Sequence, residues 1–79
     1  MNQQKRFLPM VYWSSSLFDR AEYDAFSRRL FLWFAGDADP YAYEGVPLAV
    51  WHGLQRAPSK GAYFARAIRN RYEGVKSAA

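Results

Sequence analysis

Residues 29–34, Arg-Leu-Phe-Leu-Trp-Phe, form the strongest apolar run in the chain. Their aromatic content and the turn signals on either side predict a β-strand. Side chains alternate across a strand, so Leu30, Leu32 and Phe34 share one face and Arg29, Phe31 and Trp33 share the other. Upstream, residues 15–23 have strand character, with Phe18, Ala21 and Tyr23 as their apolar positions. Asp24-Ala25-Phe26-Ser27 then supplies turn chemistry, because Asp and Ser side chains bond to nearby backbone groups. Downstream, residues 36–40 read as a loop, and Tyr41-Ala42-Tyr43 resumes as a short strand with both tyrosines on one side. The three segments predict a three-stranded antiparallel meander.

The spacing changes after Val46. Pro47 suits the first turn of a helix, where its missing N–H costs nothing. Val50, Trp51 and Leu54 cluster on one face of that helix, with Leu48 near its edge, and Ala57-Pro58 ends it. Ser59 is an N-cap for a second helix extending to about Tyr72. On this helix Tyr63, Phe64, Ala67, Ile68 and Tyr72 form one apolar stripe, while Arg66 and Arg69 fall opposite and point to water. Arg71 lies within the arc of the stripe, in the last turn, where its stem packs and its head complements the helix dipole. Residues 74–79 read as a frayed tail. The expected architecture is α+β: the meander, then two α-helices packed on one face, with an N-terminal arm over residues 1–14 that adds a strand or covers the sheet.

Composition narrows the picture. Seventy-nine residues make one domain, here divided into the arm (1–14), the domain (15–73) and the tail (74–79). There is no cysteine to form a disulfide or a thiolate metal site, so the six Phe, six Tyr and three Trp must carry the core. The basic start and the apolar stretch 7–13, broken by Pro9 and followed by three serines, are too short for a signal sequence or a membrane span. That predicts a cytoplasmic protein with no membrane partner. The net charge is +4, and the first forty residues balance to zero. All of the excess lies in residues 41–79, where Arg56, Lys60, Arg66, Arg69, Arg71 and Lys76 meet only Glu44 and Glu73. This asymmetry points to an anionic partner.

Several landmarks occur in a fixed order: Ser15-Ser16, Tyr23-Asp24, Leu30 to Phe34, Tyr41-Ala42-Tyr43, Val46-Pro47, Ser59-Lys60-Gly61, Tyr63-Phe64, Ile68-Arg69 and Tyr72. Together they resemble the KTSC domain, a short module named for its occurrence at the C-terminus of some lysyl-tRNA synthetases. Tyr-x-Tyr followed by Val-Pro, and then Ser-x-Gly-x-Tyr-Phe, is the most specific part. The resemblance implies an α+β unit that also exists as a stand-alone protein in bacteria and phages, and RNA binding has been proposed for the family. Two features depart from the pattern: a loop at 36–40 longer than the usual turn, and the arm over 1–14.

The chemistry-bearing residues favour binding over catalysis. His52, the single histidine, has no second base beside it, and Ser14-Ser15-Ser16 lacks a nucleophile-elbow context. Asp37 and Asp39 fall short of a calcium ligand set, and no glycine-rich phosphate loop occurs, so no metal, cofactor or enzymatic activity is expected. For nucleic acid, Tyr41 and Tyr43, on one sheet face with Phe31 or Trp33, form a candidate stacking platform, and Lys60, Arg66, Arg69 and Arg71 are candidate phosphate contacts. The ordinary reading of the two tyrosines is core packing. Two short helices cover one face of a sheet but not both, which leaves Phe31 and Trp33 looking outward. The arm (Phe7, Leu8, Tyr12, Trp13), a second copy of the chain or a partner must then cover them. A protein partner reached through Trp13, Phe31 and Trp33 is therefore the alternative to RNA or another nucleic acid.

Overall fold

The computed structural model describes residues 8–77. Its elements run β1 (Val11–Tyr12), β2 (Phe18–Asp24), β3 (Arg29–Phe34), β4 (Tyr41–Tyr43), α1 (Leu48–Arg56), α2 (Lys60–Ala67) and β5 (Gly74–Lys76). All strands join one antiparallel sheet in the order β1-β2-β3-β4-β5. The sheet thus has five strands where the sequence predicts three. The central meander is as expected, and each flank gains a short strand from a segment read as arm or tail.

β1 comes from the arm: Val11 pairs with Ala21 and Tyr12 with Arg20, and the Leu8 N–H donates to the Tyr23 carbonyl at 2.9 Å. β5 comes from the segment read as a frayed tail. It pairs Tyr43 with Gly74, Ala42 with Val75 and Tyr41 with Lys76. Gly74 is required there, because a Cβ at that position would lie 2.5 Å from the Tyr43 ring. To reach β4 the chain must turn back early, so α2 ends at Ala67 and not near Tyr72. The N–H groups of Ile68 and Arg69 both donate to the Phe64 carbonyl, and Arg71 and Tyr72 lie in the turns that follow.

A β-bulge explains the odd spacing of the apolar residues in β2. Phe18 opposes Phe34 and Arg20 opposes Trp33, so Asp19 is the extra residue. Phe18 and Ala21, three positions apart, therefore both face the helices and are fully buried. At the other end of the hairpin the Asp24 carboxylate accepts from the N–H groups of Phe26 and Ser27, at 3.0 and 3.4 Å. Arg28 takes the left-handed conformation there, at φ 61°.

The core lies between the sheet and the helices. Leu30 and Leu32 of β3, Trp51 and Leu54 of α1, and Phe64 and Ile68 near α2 are all buried. At its centre Phe18, Phe34 and Phe64 meet with ring centroids 5.0 to 5.7 Å apart. Edge contacts among such rings add about 0.5–1.5 kcal/mol per pair beyond the area they bury. The Ser59 hydroxyl accepts from the Ala62 N–H at 3.2 Å and starts α2 as expected.

Candidate functional site

Strand register assigns every candidate side chain to a side of the sheet. Leu30 pairs with Tyr43 and Leu32 with Tyr41, so both tyrosines share the core face with the two leucines. They are therefore on the opposite face from Phe31 and Trp33, and the single platform expected from the sequence does not form. The misplacement is one of register: Phe31 pairs with Ala42, the residue between the tyrosines. Tyr43 is buried against Phe64, with centroids 5.9 Å apart, and Tyr41 is half-buried with its ring edge against Phe34. Burial of Tyr43, with the neighbouring Tyr41 adding to it and Arg69 opposing it, pushes its phenol up to about 12.

The outer face of the sheet carries Arg20 and Glu22 from β2, Arg29, Phe31 and Trp33 from β3, Ala42 from β4 and Val75 from β5. The Arg20 guanidinium lies over the Trp33 ring, 4.7 Å from its centroid. Arg29 pairs with Glu44 at 2.8 Å. Tyr12 at one margin and Val75 at the other are exposed at 71% and 57%. Between them lie two shallow hollows of about 350 and 390 Å³. The described part of the arm extends this sheet at its edge and packs Leu8, Val11 and Trp13 against the core side; Phe7 lies outside the described residues.

The helical layer differs in charge. From α1 to Glu73 it carries Arg56, Lys60, Arg66, Arg69 and Arg71 against the single carboxylate of Glu73. Arg56, Arg66, Arg69 and Arg71 are exposed. The guanidinium of Arg66 lies 5.3 Å from the Tyr63 ring centroid and that of Arg69 lies 5.6 Å from Phe64. Cation–π contacts of this kind hold the two groups close to the surface. Lys60 is placed differently. Its ammonium donates to the carbonyls of Gln55 (2.7 Å) and Ala57 (2.8 Å), which closes the C-terminal end of α1, and it lies over Trp13.

A third feature is a polar cleft of about 390 Å³ between the arm and the start of α2, lined by Trp13, Ser14 to Ser16 and Pro58 to Gly61. Within it the Ser15 hydroxyl accepts from the N–H groups of Leu17 and Phe18, at 3.1 and 3.3 Å, and so shapes the entry to β2. His52 is exposed on α1. Asp37 accepts from the Lys76 ammonium at 3.1 Å, a contact that raises the pKa of Lys76 and ties the 36–40 loop to β5. Among the described residues no three His, Cys, Asp or Glu side chains gather where they could hold a metal ion, and no helix is long and apolar enough to cross a membrane.

Sequence reasoning missed Arg20, Glu22 and Val75 as residues of the outer sheet face. The even spacing of Arg20 and Glu22, out of phase with Ala21 and Tyr23, was the available signal for the first two. Val75 lay in a segment with no strand pattern of its own.

These features define a small α+β domain: an antiparallel sheet whose one side is covered by two helices and whose other side carries aromatic and charged residues. The chain belongs to the KTSC domain family, whose pattern matches residues 14–72. It is also similar in structure to the KTSC domain protein YPO2434 from Yersinia pestis, known from a crystal structure. The TM-score is 0.81 at 28% sequence identity, over 89% of this chain and 97% of that one. A comparison with curated proteins gives no match. β1 and β5 both lie outside the matched residues.

Proposed function

We infer that this chain is a non-enzymatic module that binds RNA or another nucleic acid by its phosphates, through the helical layer. The observation that carries this reading is the segregation of charge. Five cations and one carboxylate lie between α1 and Glu73, whereas the rest of the described chain has four cations and six carboxylates. A surface of one sign recruits a polyanion and releases its counterions, and Arg is the side chain best matched to phosphate oxygens. Arg66 and Arg69, held near the Tyr63 and Phe64 rings, lose little freedom on meeting a phosphate. Arg56 and Arg71 extend the same layer. Tyr41 and Tyr43 contribute as core residues beneath it. The outer sheet face, where Arg20 and Arg29 are matched by Glu22 and Glu44, is poorly suited to a polyanion and suits a protein surface.

The test is charge reversal. Arg66→Glu with Arg69→Glu alters two exposed side chains and should leave the circular dichroism and the melting temperature nearly unchanged. Affinity for a labelled single-stranded RNA should fall by about tenfold or more, since phosphate contacts dominate such binding. Unchanged affinity in the folded double variant would overturn the reading.

A further inference from the structure

Whether the helical layer takes paired or unpaired strands depends on its rings. From Leu48 to Glu73 the Phe, Tyr and Trp residues are Trp51, Tyr63, Phe64 and Tyr72. Not one of them is exposed. Trp51 is buried in its stack with Tyr23, and Phe64 is buried among the core rings. Tyr63 and Tyr72 are half-buried against the core. The Arg66 guanidinium lies over Tyr63, and that of Arg69 lies over Phe64. Two half-buried rings on other elements carry cations as well: Lys60 lies over Trp13 and Lys76 over Tyr41. The exposed rings Tyr12 and Phe26 belong to β1 and to the β2–β3 turn. On the helices the one exposed ring is the imidazole of His52.

We propose that the helical layer binds double-stranded nucleic acid in preference to single strands, and without regard to base sequence. The proposal rests on the reading that this layer takes phosphates, and it names the form of nucleic acid that such a surface selects. Proteins that hold unpaired strands add base stacking on open aromatic faces, and each stacked base raises affinity about 5- to 150-fold. Here the surface offers Arg56, Arg66, Arg69 and Arg71 and no exposed Phe, Tyr or Trp, so that contribution is missing.

Charge then decides the order. A duplex carries one phosphate per about 1.7 Å of axis, against about 3.4 Å for a single strand. Each neutralised phosphate releases about 0.9 counterion from a B-form duplex and about 0.7 from a single strand. Over about two to four phosphates, with other contributions equal, the duplex is favoured about three- to tenfold at about 50 mM salt. One stacked base is enough to erase that margin, so strand preference reports whether the layer stacks bases. Phosphate contacts carry no sequence information, which makes the binding indifferent to sequence.

The test is fluorescence anisotropy of the full chain against a labelled strand and its duplex of equal length. Two unrelated sequences are used, each as RNA and as DNA, across a salt series. The duplex should bind about three- to tenfold tighter at about 50 mM salt, with a salt slope about 1.3 times as steep. The same order should hold for RNA and DNA, and the two sequences should agree within about twofold. His52→Ala and Phe26→Ala should leave the ratio of the two affinities unchanged, and Arg66→Glu with Arg69→Glu should weaken both forms together. Single strands bound as tightly as duplex, or more tightly, overturn the proposal and leave the phosphate reading standing, provided that the arginine reversal still abolishes binding. A clear preference for one sequence, or a ratio that rises in folded His52→Ala, also overturns it. Binding to neither form overturns the phosphate reading and this proposal with it.

Discussion

The phenol ring of Tyr23 lies parallel to the indole of Trp51, with 5.6 Å between centroids and 9° between planes. Its hydroxyl continues past the stack and donates to the Val46 carbonyl at 2.5 Å. Two contacts from one side chain thus bind β2 both to α1 and to the segment that leads into it. Both rings are almost fully buried. Tyr23→Phe keeps the stack and strands the Val46 carbonyl, at an expected cost of about 1–2 kcal/mol. Trp51→Ala removes the stack and leaves a cavity, at an expected cost of about 3–5 kcal/mol. Urea unfolding of the two variants should rank them in that order.

Alkaline pH should destabilise the protein. The Tyr43 phenol is held up to about 12 in the folded chain and that of Tyr23 is also raised, each mainly by burial. In the unfolded chain both ionise near 10. Between pH 10 and 12 the unfolded state therefore binds fewer protons than the folded state. Stability is fully present below pH 10 and falls as pH rises through that window. The urea midpoint should be flat from pH 7 to 9 and drop above 10. Tyr43→Phe should make the drop shallower, and a midpoint independent of pH up to 11.5 would contradict this account.

Gly74 is where β5 depends on a missing side chain. A methyl group at this position would meet the Tyr43 ring across the strand pair. Gly74→Ala should therefore release β5 from β4, or cost about 1–3 kcal/mol if the ring is forced aside. Hydrogen exchange distinguishes the two. Release would expose the amides of the β4–β5 ladder while those of β2 and β3 stay protected.

Lys60 belongs to the scaffold. Its ammonium is bonded to two carbonyls at the end of α1, and charged hydrogen bonds of this kind contribute about 1.5–3 kcal/mol. Lys60→Met should lower the urea midpoint clearly and change nucleic-acid affinity by less than about threefold. The opposite pattern, full stability with lost affinity, would return Lys60 to the binding surface.

Much of the fold was legible because its central strands carry their own pattern. The alternation in residues 29–34, the Ser59 cap and the Val50, Trp51, Leu54 face are local signals, and local signals survived folding. β5 was not legible as a strand, and β1 only as one of two roles open to the arm. Val11–Tyr12 and Gly74–Lys76 are short and show no alternation, and they become strands only because β2 and β4 offer unpaired edges. The same limit applied to the site. Tyr41 and Tyr43 are correctly on one face together, but which face depends on the register between β3 and β4, and register is a tertiary property. Arg66 and Arg69 were placed correctly at the surface because helix periodicity alone fixes their side. The role of Lys60 was hidden, since its partners belong to the preceding helix.

The most direct test of the central claim is fluorescence anisotropy of the wild-type protein against labelled single-stranded RNA, repeated across a series of salt concentrations. If the helical layer takes phosphates through Arg66, Arg69 and their neighbours, binding is saturable and its logarithm falls linearly with the logarithm of salt. The slope should correspond to about two to four released counterions. Absence of binding at low salt, or affinity indifferent to salt, would contradict the account.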